Sequence, residues 1–175
     1  MFTTRIETDR FLLRPIEMSD VEDILELDSD PLVHKYLDNK IISSLEEARK
    51  IIEYIQSQYR DNNLGRVAIV DKSNGDFIGW SGLKLESGLR PGRTYYDLGY
   101  RLKTKHWGKG IGTETAEAVL DFGFTDLGLE TICAAADILN LASNKILTKI
   151  GMSFTEQFSF EGNLCNFYEI KRSSR

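Results

Sequence analysis

GYRLKTKHWGKGIGTE, Gly99 to Glu114, passes from the end of a strand through a glycine-rich loop into the first turn of a helix. Within it, Gly108-Lys109-Gly110-Ile111-Gly112-Thr113 has glycine at every second position and a single cation. Glycine admits positive φ and lets a ligand approach the backbone closely. A helix start presents unpaired N–H groups and a partial positive charge. A loop of this kind is suited to an anion, most often a phosphate.

The flanks fix the surrounding architecture. Residues 95–102 read as a strand. A helix from about residue 111 to 127 places Ala116, Val119, Leu120, Gly123, Phe124 and Leu127 on one face, and Gly128 ends it. Residues 131–137 (TICAAAD) form a continuous apolar strand of the sort covered on both faces. Strand, helix and strand predict a right-handed parallel crossover. Downstream, Asn140 caps a short helix over residues 141–150, Gly151 ends it, and a hairpin turns over Glu161-Gly162-Asn163. That hairpin offers an edge strand through which a homodimer is plausible.

Upstream, residues 10–16 read as a first strand. Ser19 and Glu22 have the spacing of a capping box, with a helix to about Ser29. Residues 31–42, with His34 and Tyr36, read as irregular. A second capping box, Ser44 and Glu47, opens a helix whose face is Leu45, Ala48, Ile52, Ile55 and Tyr59. Strands follow at 66–71 and 77–85, joined by the turn Ser73-Asn74-Gly75-Asp76. The order βααβββαβαββ predicts a mixed sheet of about seven strands with helices on its faces and antiparallel hairpins around the crossover.

The chain has 175 residues, 41% hydrophobic and 28% charged, which suits one domain over residues 1–175. It has no apolar run of the roughly eighteen residues that would cross a membrane, and its N-terminus lacks the apolar core of a secretory signal. Cys133 and Cys165 have no metal-ligand spacing and read as free thiols in a reducing compartment, so a cytoplasmic location and no metal site are expected. A net charge of −5 argues against non-specific nucleic-acid binding and suits a cationic substrate such as an amine.

Two phosphate motifs are tested by spacing. A nucleoside-triphosphate loop requires G-x-x-x-x-G-K-[ST], whereas Lys109 lies between glycines with no hydroxyl residue after it. A dinucleotide site requires G-x-G-x-x-G. Here the spacing is G-x-G-x-G, and Glu130 precedes the next strand rather than following it.

The stretch from Trp107 to Gly112 resembles instead the R/Q-x-x-G-x-G/A signature of the GNAT N-acetyltransferases, with Trp107 at its first position. Further pieces resemble the branch of ribosomal-protein N-terminal (alanine/serine) acetyltransferases, in the same order. They are Thr8-Asp9-Arg10-Phe11-Leu12-Leu13-Arg14, Gly99-Tyr100, Asn140-x-x-Ser143-Asn144 and Leu147-x-Lys149-x-Gly151-Met152. The likeness spans nearly the whole chain. It implies a GNAT-like α/β (α+β) fold with a mostly antiparallel twisted sheet. It also implies transfer of acetyl from acetyl-CoA to a primary amine, of a protein N-terminus or a small molecule, by direct attack. A non-catalytic acyl-CoA-binding regulatory module is the alternative.

The resemblance also implies roles. Gly108, Lys109, Gly110, Ile111, Gly112 and Thr113 would bind the pyrophosphate, with Trp107 beside them. The backbone of Tyr100, Arg101 and Leu102 would pair with the pantetheine arm like an added strand, and a bulge there would aim an N–H at the thioester oxygen. Ser143 would give a proton to the leaving thiolate. Asn140 and Asn144 would contact the pantetheine or sulfur region, and Lys149 the phosphoadenosine end. The general base would be Asp97, with Glu114 behind it. His106 would meet solvent or phosphate, and His34 and Tyr36 would border the acceptor pocket.

Overall fold

A computed structural model describes residues 4–37, 40–90 and 92–174. The middle of the expected irregular segment (38–39), one residue of the loop before the fourth expected strand (91) and both chain ends lie outside them. Among the described residues, eight strands form one sheet in the order β1-β2-β3-β4-β5-β6-β8-β7. They are β1 (Ile6–Glu7), β2 (Phe11–Pro15), β3 (Arg66–Asp71), β4 (Phe77–Glu86), β5 (Tyr95–Leu102), β6 (Thr131–Asp137), β7 (Ser153–Phe160) and β8 (Asn163–Lys171). The helices are α1 (Val21–Asp28), α2 (Pro31–His34), α3 (Leu45–Asn62), α4 (Ile111–Thr125) and α5 (Leu141–Lys149).

All strand pairs are antiparallel except β5 with β6, which run parallel and are joined by α4. The expected crossover is therefore present. The sheet has one more strand than expected, because the two-residue β1 pairs with Leu12 and Leu13. A pairing that short leaves no periodic signal in the sequence. The closing hairpin does leave β7 at the sheet edge.

The two faces of the sheet bury different clusters. On one, α4 and α5 cover Leu13, Ile69, Ile78, Leu83, Leu98 and Ile132, among others. On the other, α1 and α3 pack Ile24, Leu27, Ile52 and Ile55 against Ala68 and Phe77. Alternation of side chains along a strand thus gives β5 two distinct faces. Leu98, Tyr100 and Leu102 join the α4 side, while Asp97 and Arg101 face the α1 side.

Three local expectations need correction. The first capping box is Glu17 with Asp20, not Ser19 with Glu22, because a 3-10 turn (Met18–Asp20) precedes α1. Asp20 is then pinned by a two-armed contact with Arg14, both bonds 2.8 Å. Within the stretch read as irregular, Pro31 at the first helical position and the Asp30 carboxylate on the Leu32 N–H start the short α2. Finally, β4 and β5 keep one unbroken register from Gly79↔Leu102 to Glu86↔Tyr95, so β5 has no bulge against β4. Ser44 caps α3 as expected, its hydroxyl oxygen accepting from the Glu47 N–H, while the Glu47 carboxylate accepts from the Ser43 N–H and the Ser44 hydroxyl.

Candidate functional site

The sheet opens where β5 meets β6. Their only register pair among the described residues is Asp97↔Cys133, although β5 runs on to Leu102 and β6 to Asp137. Beyond that vertex β5 remains fully paired to β4, and β6 to β8 through Asp137↔Cys165. The facing edges of β5 and β6 therefore have backbone groups directed at a gap with no strand in it. An unpaired strand edge is a template for another extended chain.

One wall of this gap is the start of α4. Gly108 and Gly110 both have φ of +74°, a left-handed conformation available to glycine with little strain. Gly110 is the N-cap and no side chain caps the helix. In contrast, Asp30, Ser44 and Asn140 cap α2, α3 and α5 with their own oxygens. The first N–H groups of α4 thus have no side-chain acceptor. Gly112 has a packing role: a Cβ there would lie 3.1 Å from the Ile146 side chain, with Leu102 and Tyr100 next nearest. Its bareness draws α4 down onto β5 and α5. Ile111 is buried in the core, Thr113 is half-buried and Lys109 is exposed.

Trp107, the residue that departs from the usual signature, turns back on the strand. Its indole Nε1 donates to the Leu102 carbonyl at 2.9 Å. That contact ties loop to strand and occupies one of the backbone acceptors expected to face a ligand. His106 has a buried Nε2 with no hydrogen-bond partner. Burial, and then Lys109, Lys105 and Lys103 around it, hold its imidazole below the ordinary value, which favours the neutral ring at pH 7.

The opposite wall is the start of α5. Asn140 accepts from the Ser143 N–H at 3.1 Å, so its side-chain oxygen serves the helix. The Ser143 hydroxyl lies 2.9 Å from the Tyr100 hydroxyl, a bond that joins α5 to β5. Burial pushes the Tyr100 phenol up to about 12, so it stays protonated and able to donate. Asn144, expected to reach a ligand, is fully engaged within the fold. Its Nδ2 donates to the Asp137 and Asn140 carbonyls at 2.8 Å each, and its Oδ1 accepts from Asn166 and the Tyr168 hydroxyl at 2.7 Å each. Lys149 is exposed in the last turn of α5, at the far end of that helix from Ser143.

Asp97 sits at the vertex itself, only 8% exposed, rather than on an open strand face. Its Oδ2 accepts from Arg66 Nη2 at 2.5 Å, and Arg66 Nη1 also donates to the Gly82 and Asp97 carbonyls. The guanidinium occupies the space over Gly99, where a Cβ would fall 2.6 Å from Arg66 Nη2. Burial pushes the Asp97 carboxyl up, against the opposing pull of Arg66 and Lys84. Trp80 lies between two guanidiniums, Arg66 at 5.4 Å and Arg101 at 5.1 Å from its ring centre. Arg101 in turn binds Asp28 at 2.6 Å, and His34 Nε2 lies 3.6 Å from the same carboxylate oxygen. His34 is buried, so the α1–α2 end meets the Asp97 and Arg101 side of β5 through Asp28.

Glu114, the second expected base, accepts from Arg10 Nε at 2.7 Å. Burial alone would raise its carboxyl, but hydrogen bonds from Thr8 and Arg10 outweigh it and hold it below the ordinary value. Such a carboxylate is a weak proton acceptor. Arg66, Arg10, Trp80 and Asp28 were not visible as site residues from sequence. Their partners lie on other elements, and the sole local hint was the Thr8–Arg14 stretch. Both cysteines are free, with Cys133 buried and its thiol pushed up to about 11 by burial and by Glu169. No helix of the described residues is long and apolar enough to cross a membrane.

Known proteins resemble this chain in sequence and in fold. A family model described as an acetyltransferase (GNAT) domain matches residues 10–153. An uncharacterized N-acetyltransferase (p20) of Bacillus licheniformis is 30% identical over 94% of this chain and 87% of its own. RimL, a ribosomal-protein alpha-N-acetyltransferase solved in complex with coenzyme A, superposes with a TM-score of 0.82 at 17% identity, over 98% of this chain and 100% of that one. Spermidine N-acetyltransferase from Vibrio cholerae, solved in complex with CoA and spermine, gives 0.77 at 20% identity, over 95% and 98%.

Proposed function

This chain belongs to the GNAT acetyltransferase family, and on that premise we propose that residues 1–175 act as one N-acetyltransferase domain that moves an acetyl group from acetyl-CoA to a primary amine. The observation that carries the proposal is the combination at the vertex: the unpaired facing edges of β5 and β6 beyond Asp97↔Cys133 beside a helix start with no side-chain cap. An extended pantetheine arm fits the first and a pyrophosphate the second. Two of the superposable structures are complexes with CoA.

The donor thioester supplies the acyl group and the leaving thiolate; the protein aligns, deprotonates and reprotonates. In this scheme the N–H groups from Gly108 to Thr113 hold the pyrophosphate. The β5 edge at Tyr100 and Arg101 pairs with the pantetheine, while Leu102 keeps its carbonyl on Trp107. With β4 and β5 in continuous register, the N–H that meets the thioester oxygen belongs to the splayed edge itself, not to a bulge. Asp97, on the acceptor-facing side and oriented by Arg66, takes the amine proton. Its raised affinity for protons makes its carboxylate a stronger base than one in water. The amine nitrogen attacks the acyl carbon, and the carbon–sulfur bond breaks. Ser143 then passes its hydroxyl proton to the thiolate while taking one from the Tyr100 hydroxyl bonded to it, and the proton gained by Asp97 returns to Tyr100 through solvent. Asn140 supports Ser143 as its cap. Asn144 acts by holding α5 in place, and Lys149, exposed in the last turn of α5, offers its ammonium to the phosphoadenosine end.

The acceptor is a small polyamine or a protein N-terminus, the two classes handled by the CoA-bound relatives above. The decisive measurement is thiol release from acetyl-CoA in the presence of polyamines, amino acids, aminoglycosides and peptides, with product masses to identify the acetylated amine. Amine-dependent release with one acetyl added per product supports the assignment. Tight CoA binding with no amine-dependent release across the panel replaces it with a regulatory acyl-CoA-binding role.

A further inference from the structure

Arg10 has no part in the chemistry above, yet its side chain meets the phosphate loop and the first turn of α4 together. Its Nε and Nη2 both reach Glu114 Oε2 at 2.7 Å, and its backbone N–H donates to Glu114 Oε1 at 3.2 Å. Its Nη1 donates to the Lys109 carbonyl at 3.1 Å. The guanidinium carbon lies 5.0 Å from the centre of the Phe11 ring, and Phe11 is buried in the core. The Arg10 carbonyl accepts from the Lys72 N–H at the end of β3. The clamp is thus rooted in the sheet, at the turn between β1 and β2.

The Lys109–Gly110 peptide needs such an anchor. It ends on Gly110, in the left-handed region at φ +74°, so on that side no Cβ opposes its rotation. A trans peptide is planar, with its C=O and N–H on opposite sides. Fixing the Lys109 oxygen on Arg10 therefore directs the Gly110 N–H the other way. The Gly110 carbonyl is fixed separately, as acceptor for the Glu114 N–H at 3.1 Å. Glu114 and the Lys109 carbonyl engage Nε, Nη1 and Nη2, so the guanidinium is held as a brace and is not itself free to turn onto a phosphate.

We propose that Arg10 is a positioning residue that locks the Lys109–Gly110 peptide with the Gly110 N–H facing the pyrophosphate of CoA. This rests on the acetyl-CoA reading above and adds to it the part of the chain that prepares the site. The same contact explains why Glu114 stands at that position: it holds the fork of the arginine in register with the loop.

The test compares wild type with Arg10→Ala, Arg10→Lys and Glu114→Gln. Calorimetry gives the affinity for CoA and for 3′-dephospho-CoA. Steady-state kinetics compare acetyl-CoA with acetyl-pantetheine, which has no pyrophosphate. Amide hydrogen exchange of residues 108–113 is followed in the ligand-free protein. Arg10→Ala is expected to weaken CoA and 3′-dephospho-CoA alike by about tenfold, or ~1.4 kcal/mol. Turnover at saturating acetyl-CoA stays unchanged, kcat/KM on acetyl-pantetheine stays unchanged, and loop exchange becomes faster. Lysine lacks the planar fork and does not restore affinity. Glu114→Gln, which keeps the Lys109 contact, gives a smaller loss in the same direction and serves if Arg10→Ala fails to fold.

Unaltered CoA affinity or unaltered loop exchange in Arg10→Ala overturns the proposal. So does a loss confined to the 3′-phosphorylated ligand, which would make Arg10 a direct phosphate contact, or an equal loss on acetyl-pantetheine. Wild-type protein that binds no CoA refutes the acyl-CoA reading and the ligand half of this proposal. Loop exchange in the free protein then still decides whether Arg10 holds the peptide.

Discussion

Replacing Asp97 by Asn tests how the vertex of the sheet is built. The substitution keeps the volume and one acceptor oxygen but removes the charge opposite a guanidinium whose side chain is 9% exposed. Breaking a buried ion pair from one side typically costs about 3–5 kcal/mol. Arg66 would retain two carbonyl acceptors, at 2.5 and 2.7 Å, and the Trp80 ring near it. The lower end therefore applies, ~3 kcal/mol. For a domain of this size each kcal/mol moves Tm by about 2–4 °C, so a fall of roughly 6–12 °C is expected. Urea unfolding followed by circular dichroism, with scanning calorimetry, measures both quantities. Replacing the pair together, Arg66→Met with Asp97→Leu, leaves no stranded charge and is expected to recover most of that loss. An Asp97→Asn protein within about 0.5 kcal/mol of wild type would show that Arg66 does not depend on the carboxylate. A double variant less stable than the single would refute the same reasoning from the other side.

Three further outcomes follow from the site. In wild type, kcat/KM requires the ionised Asp97 and so falls as pH drops through its carboxyl pKa. Because burial raises that pKa, the acid limb should lie above the ~3.9 of a free aspartate, and a pH–rate profile locating it at or below that value would remove Asp97 as the base. Ser143→Ala should lower kcat by about a hundredfold, the lower range for a lost acid–base group, with KM for acetyl-CoA little changed; equal kcat in initial-rate assays would exclude a proton from that hydroxyl. Asn144→Ala removes four hydrogen bonds and takes the acceptor from the Asn166 amide and the Tyr168 hydroxyl, and should cost ~2–4 kcal/mol in urea unfolding; a loss under about 1 kcal/mol would mean that α5 is held by other contacts.

What was legible in the sequence is what short-range spacing encodes. The glycine loop, the apolar stripe of α4, the unbroken apolar run of β6 and the Asn140 cap each declare themselves within a few residues. Pairings across the sheet leave no such trace. Asp97 and Arg66 are 31 positions apart, and nothing around Asp97 separates an exposed carboxylate from a buried, paired one. Asn144 was drawn toward the ligand by its helical face, but Asn166 and Tyr168 claim it from β8. Glu114 looked like a first-turn acid because its partner, Arg10, lies 104 positions away. The capping box at α1 slipped by two residues because Glu17 and Asp20 satisfy the same geometry with carboxylates, where serine was sought.

The single register pair between β5 and β6 has a mechanical consequence. β4 and β5 are laced by eight register pairs, and β6 and β8 by seven. The sheet is therefore two stiff panels, one of five strands and one of three, sewn together at one stitch with α4 as the strap between them. A chain laid into the gap becomes the missing thread. Its binding energy is then counted in the resistance of the panels to parting, so that at a concentration of 100 times Kd it adds about 2.7 kcal/mol against unfolding. Occupancy and mechanical integrity are then linked along the line where the acetyl-CoA reading lays the substrate.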